Sequence, residues 1–140
     1  MSGSRNLPVE DFIAVAGFRA ALRQFLRKSE RVAHTSGLTP QRYLLLLMIK
    51  GSPNGQERST VTELADRLQL AQSTVTELVS RAEEIGLVTR ETSPVDARVA
   101  HLRLTAEGER RLQLSFEGLA AERARLRDAV SHLSGASWGL

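Results

Sequence analysis

Between Thr60 and Gly108 the chain passes from helical to strand periodicity and back, and few folds accept that order. Thr60-Val61-Thr62-Glu63 has the spacing of a capping box, in which a threonine hydroxyl and a glutamate three residues on satisfy each other's backbone amides. Leu64, Ala65 and Leu68 give the short helix that follows one buried face, and Leu70-Ala71 reads as a turn. A second helix is predicted from Gln72 or Ser73, with Val75, Leu78, Val79 and Ala82 as its inner stripe and Gly86 placed to stop it. Leu87 to Glu91 and Val99 to Leu104 read as strands, the second alternating Val99, His101 and Arg103 against Ala100, Leu102 and Leu104. Thr92 to Arg98, with Pro94, forms the polar tip between them. Leu104-Thr105-Ala106-Glu107-Gly108 opens a further helix, capped by Thr105. Two short helices and a hairpin in this order make a helix-turn-helix with a β-wing.

The flanks are helical. From about Val9 to Ala33, Phe12, Val15, Phe18, Leu22 and Phe25 recur at spacings of three and four. Thr39-Pro40 is a start signal, threonine at the N-cap and proline at the first helical position. The helix to Lys50 is apolar nearly all round, as a helix buried by several neighbours must be. Gly51 to Arg58 is a loop by composition. After Thr105 one long helix is expected, in which Leu112, Phe116, Leu119, Leu126, Val130 and Leu133 keep a coiled-coil rhythm that only Arg123 breaks. Arg123 is then a snorkelling residue or a partner for Glu117 or Glu122. Met1 to Asn6 and Gly135 to Leu140 read as a loose head and tail. The small wing lobe cannot cover the apolar stripes of the terminal helices, so either two copies intertwine there or the two helices pack on each other within one chain.

The net charge is only +3, so its placement carries the functional argument. The basic residues are nearly all arginine, with Lys28 and Lys50 the only lysines. Arginine suits bidentate contact with phosphates and base edges. The outer face of the second short helix is Ser73, Thr74, Thr76, Glu77, Ser80 and Arg81. Small hydroxyls permit close approach to base edges, Glu77 can accept from a cytosine amino group, and Arg81 can hold a phosphate. Alternatively this is a solvated face beside a cap. At the wing tip Arg98 can enter a minor groove, with Asp96 orienting its guanidinium, and Arg90 and Arg103 can add phosphate contacts. The competing reading of Asp96 and Arg98 is a surface ion pair of little worth.

Taken together, Val61 to Ala65, Ser73 to Thr76, Gly86-Leu87-Val88, Asp96-Ala97-Arg98 and Leu104-Thr105 through Gly108 resemble the MarR family of winged-helix regulators, in order and spacing, over nearly the full length. The resemblance implies a mainly α fold with a small β-hairpin wing, a winged helix-turn-helix with N- and C-terminal dimerisation helices. It implies one domain, 1–140, with dimerisation helices at about 8–36 and 109–134 and a DNA-binding lobe at about 37–108. It also implies a homodimer on a pseudo-palindromic duplex DNA operator, usually a repressor released by a small aromatic or lipophilic effector. His34, Arg42 and Tyr43, at the junction of the first two helices, are weak candidates for that effector, against ordinary junction packing. The loop Gly51 to Arg58 looks longer than is usual for the family.

Other functions find little footing. The chain has no cysteine, which removes disulfides, thiolate chemistry and zinc–thiolate sites. His34, His101 and His132 lack metal-ligand spacing, and Glu83 and Glu84 are adjacent on a helix, so they point apart. Neither an enzyme nor a cofactor is expected. The longest apolar run, Tyr43 to Ile49, is far too short to span a bilayer, and the first residues lack a signal-peptide pattern, so a cytoplasmic protein with no membrane partner is expected. The alternative function is a helical protein-interaction module that has lost DNA binding.

Overall fold

The computed structural model describes residues 6–96 and 98–133. Most of the expected head, Ala97 of the wing tip and the expected tail lie outside them. Six helices and three short strands follow in the order α1 (Val9–Thr35), α2 (Pro40–Lys50), β1 (Arg58–Ser59), α3 (Val61–Leu68), α4 (Gln72–Glu84), β2 (Val88–Thr92), β3 (Ala100–Leu104), α5 (Ala106–Gly118) and α6 (Ala120–Ser131).

The caps form as the sequence predicts, because each needs only three or four neighbouring residues. Thr39 accepts from the Arg42 amide at 3.2 Å, with Pro40 in the first turn of α2. At α3 both halves of the capping box are made: the Glu63 amide donates to Thr60 Oγ1 at 3.2 Å and the Thr60 amide to Glu63 Oε1 at 2.9 Å. Gly86 adopts φ 76°, the left-handed geometry that lets the chain leave α4 and enter β2. Thr105 accepts from the Gly108 amide at 3.1 Å and donates to the Gly86 carbonyl at 2.6 Å, tying the start of α5 to the end of α4.

α2 lies at the centre. Its Leu45, Leu46 and Ile49 pack with Leu64 of α3, Val75 and Val79 of α4, Leu87, and Leu102 of β3 in one aliphatic core. In the sheet β3 lies between β1 and β2, both antiparallel to it, with Val88 opposite Leu104 and Thr92 opposite Ala100. Alternation then buries Leu102 and Leu104 and leaves His101 and Arg103 half-buried.

Two departures from the sequence reading stand out. The expected loop Gly51 to Arg58 ends in a strand, since Arg58 and Ser59 pair with Arg103 and Leu102. A two-residue strand has no periodicity to read. The expected long last helix is broken at Leu119 (φ −106°, ψ 8°) into α5 and α6. Arg123 neither snorkels nor pairs with Glu117 or Glu122. Its Nη1 donates to the Phe116 carbonyl at 2.6 Å, which also accepts from the Leu119 amide at 3.2 Å at the break, and its guanidinium lies 3.6 Å from the centre of the Phe116 ring. Gly118, next to the break, sits against Val32 of α1, where a side chain would collide.

α1 packs against α6 within the chain. That packing leaves much apolar surface open. Of the 27 residues of α1 only Ser29 and Ala33 are buried, and α6 buries none. Phe12, Ile13, Leu26, Phe116 and Val130 are all exposed. No described helix is long and apolar enough to cross a membrane.

Glu107, in the first turn of α5, receives hydrogen bonds from Arg110 at 2.6 and 2.9 Å and from Arg111 at 2.8 Å, and Arg111 also reaches the Gly37 carbonyl. Arg110 first, then Arg111, pulls its carboxyl pKa down from 4.5 to about 2. A depressed carboxylate contributes fully above its unfolded value and loses the contribution as pH falls through the folded one. The α5 clamp should therefore hold throughout the neutral range and weaken only between pH 4.5 and about 2. An NMR titration of Glu107 should place its midpoint in that low range, and Arg110→Ala should move it up; a midpoint at the ordinary value would mean the clamp is not formed.

Candidate nucleic-acid interface

α4 turns Val75, Val79 and Ala82 into the core, and helical periodicity then fixes what faces outward. Ser73, Thr74, Thr76, Glu77 and Arg81 are exposed and Ser80 is half-buried, forming one polar surface. The turn that aims α4 is made at Gln69, which holds a left-handed conformation (φ 56°) although it is not a glycine. Its side-chain amide donates to the Asp66 carbonyl at 2.6 Å, a local bond that helps hold the strained geometry. Gln72 reaches across to Thr62 Oγ1 at 3.4 Å, linking the second helix to the first.

Each arginine expected to face a nucleic acid along this stretch is held by a carboxylate. Arg81 pairs with Glu77 at 3.0 Å, one turn away on α4, and both side chains remain mostly exposed. Arg90 pairs with Glu83 at 2.8 Å, which ties the wing to α4. Arg103 pairs with Glu91 across the hairpin at 3.0 Å. At the wing tip Arg98 presents a fork to Asp96: Nε donates to Oδ1 at 3.1 Å and Nη2 to Oδ2 at 3.3 Å, and the Arg98 backbone amide also donates to Oδ1. The Arg98 side chain is 91% exposed. It sets the Asp96 carboxyl below its usual pKa, the side-chain bond contributing more than the amide.

Between the wing and the start of α3 lies an open crevice of about 370 Å³, lined by Thr60, Thr62, Arg90, Arg98 and Val99. Hydroxyls on one wall and guanidinium groups on the other suit an anionic strand passing between. The sequence reading missed Thr62 as a member of this surface. Its exposed place in the capping turn was the available signal.

The proposed effector residues are not gathered at one place. His34 is exposed in the last turn of α1. Tyr43 is buried in the core, where burial raises its phenol pKa against the opposing charge of Arg123. Arg42 lines a separate crevice between α2 and α4. Neighbouring residues on a helix point in different directions, so proximity in sequence did not bring these side chains together. A more apolar crevice of about 390 Å³ lies between α2 and α5, walled by Leu47, Leu112 and Phe116. Lys50 stands at its rim, bonded to Glu57 and Glu109, which raise its pKa.

Comparison with known proteins agrees with this geometry. Residues 36–99 match the model of the MarR family. The chain is 34% identical over 114 residues to a Thauera aromatica protein assigned as a transcriptional regulatory protein for the hcr operon, an alignment covering 79% of this chain and 64% of that protein. The chain thus spans just under two thirds of that relative's length. Among solved structures, the YusO protein from Bacillus subtilis superposes with a TM-score of 0.61 at 26% identity, covering 86% of this chain and 80% of that one. Overoxidized AbfR bound to DNA superposes with a TM-score of 0.57 at 26% identity, covering 74% and 73%.

Proposed function

We infer that this chain, whose residues 36–99 match the MarR family model, is a DNA-binding transcriptional regulator of that family acting as a homodimer. The observation that carries this reading is the polar face of α4 beside a wing whose Arg98 stands 91% exposed in a carboxylate fork. α4 enters a major groove, and Arg98 enters the minor groove next to it. A helical protein-interaction module would need neither feature. The relative assigned to an operon and the DNA-bound AbfR support the same reading.

The dimer rests on α1 and α6, proposed as the dimerisation helices at about 8–36 and 109–134, with about 37–108 as the DNA-binding lobe. A 27-residue helix with two buried residues has little to hold it in a lone chain. A second copy covering Phe12, Ile13, Leu26 and Val130 would bury that surface and set two copies of α4 about one helical turn of DNA apart. We take the regulator to be a cytoplasmic repressor, released by a small apolar ligand in the α2–α5 crevice. Such a ligand acts only as far as it binds the two arrangements of the lobes unequally.

Selection of bound sites from random duplexes by the purified protein tests the reading. An inverted repeat is expected. Glu77→Ala should change base preference more than nonspecific affinity, which it raises only as far as it frees Arg81. Recovery of no preferred sequence, or no binding to duplex DNA in dilute salt, would remove the function proposed.

A further inference from the structure

We propose that Arg42 of α2 holds a backbone phosphate beside the groove that α4 enters, so that α2 clamps the operator strand and Arg42 belongs to the DNA surface. The proposal rests on the DNA-binding reading above and adds a contact to it. The crevice between the two helices, about 330 Å³, is lined by Thr39 and Arg42 from the start of α2 and by Thr74, Glu77 and Arg81 from the outer face of α4. Three of those five are residues already assigned to the DNA-facing surface.

The charge balance inside the crevice singles out Arg42. Arg81 and Glu77 neutralise each other at 3.0 Å. Every arginine from α4 through β3 has a carboxylate partner: Arg81, Arg90, Arg98 and Arg103. Among the described residues the Arg42 guanidinium has neither a hydrogen bond nor an ion pair; only its backbone amide is engaged, by the Thr39 cap. An anion reaching Arg42 therefore has no existing ion pair to break. Arg42 also lies in the first turn of α2, where the helix dipole is already positive and no acidic residue offsets it. The same is true of the first turn of α4, which brings Thr74 to the crevice and has no side-chain cap. A cation at such a place is unfavourable for the isolated helix and favourable once an anion sits there. A phosphodiester on the flank of the groove supplies one, and Thr39 and Thr74 offer hydroxyls to it.

The test measures binding of the selected duplex and of a scrambled duplex across salt concentrations from about 50 to 200 mM. Arg42→Ala should lower the slope of log affinity against log salt by about one for each copy bound, equally for both duplexes. Arg42→Lys should keep the slope. Arg127→Ala, which removes the same charge from α6, should also leave it unchanged. Thermal unfolding of Arg42→Ala and Arg42→Gln should match the parent, because the guanidinium holds nothing in the fold. An unaltered slope in Arg42→Ala, with the parent protein binding DNA normally, overturns the clamp and leaves the function standing. Failure of the parent to bind either duplex removes both. A variant with the parent's slope that no longer responds to an apolar ligand would return Arg42 to an effector site.

Discussion

Gly108→Ala is expected to destabilise the protein by about 2–3 kcal/mol and to lower its melting temperature by roughly 5–10 °C. Gly108 is buried in the first turn of α5, and a Cβ built there runs into the backbone carbonyl of Leu87. Backbone cannot swing aside as the end of a side chain can. Either α5 lifts away or β2 shifts. Both movements break the bond from the Thr105 amide to that same carbonyl, 3.0 Å long, and strain the Thr105 bond to Gly86. Overpacking of this kind costs about 1–3 kcal/mol, and a lost hydrogen bond adds about 1. Alanine recovers at most about 1 kcal/mol in helix propensity, so the clash wins.

Gly86→Ala is the contrast. Nothing lies within 4 Å of a Cβ there, and only its φ of 76° opposes the substitution. That left-handed geometry costs about 1–2 kcal/mol for a residue with a side chain. Melting both variants at one protein concentration checks the order. If Gly108→Ala melts with the parent, the close seam between α5 and β2 is wrong, and with it the placement of the wing.

The seam shows which parts of the fold were legible in the chain. Thr39-Pro40, Thr60 with Glu63, and Thr105 announced three helix starts because each cap is completed within three residues. The outward face of α4 was legible because Val75, Val79 and Ala82 fix its phase. What escaped was non-local. β1 exists only because Arg103 and Leu102 lie opposite Arg58 and Ser59. Gly118, beside the break at Leu119, meets Val32, far away in sequence, and Arg123 bonds the Phe116 carbonyl instead of a carboxylate. Lys50 was visible as one of two lysines, but its bonds join the end of α2 to Glu57 of the loop and to Glu109 of α5, 59 residues on. The effector candidates failed to converge for the same reason: His34, Arg42 and Tyr43 are close along the chain and separated by the packing of α2.

Arg98→Ala should weaken operator binding by on the order of tenfold for each copy bound, more where the flanking sequence is A·T-rich, and should leave thermal stability unchanged. The two halves of that expectation follow from one geometry. With 91% of the Arg98 side chain in solvent, its pair with Asp96 contributes little to folding. What the fork does provide is a fixed direction: three bonds converge on one carboxylate, one of them from the Arg98 backbone. A guanidinium aimed in advance loses less rotamer entropy on entering a narrow groove. Arg98→Lys keeps the charge but loses the fork, so it should fall between parent and alanine. Asp96→Ala should also weaken binding, because loss of direction outweighs removal of one negative charge screened by salt over about 10 Å. The Asp96 carboxyl is held below its ordinary 3.8, so it stays ionised and the fork persists as pH falls through the neutral and mildly acid range, to be lost only below that value. Affinity measured from pH 8 down to about pH 5 should therefore show no step assignable to the Asp96–Arg98 fork. Tighter binding by Asp96→Ala, or full affinity in Arg98→Ala, would show that the carboxylate screens the arginine from DNA and does not aim it.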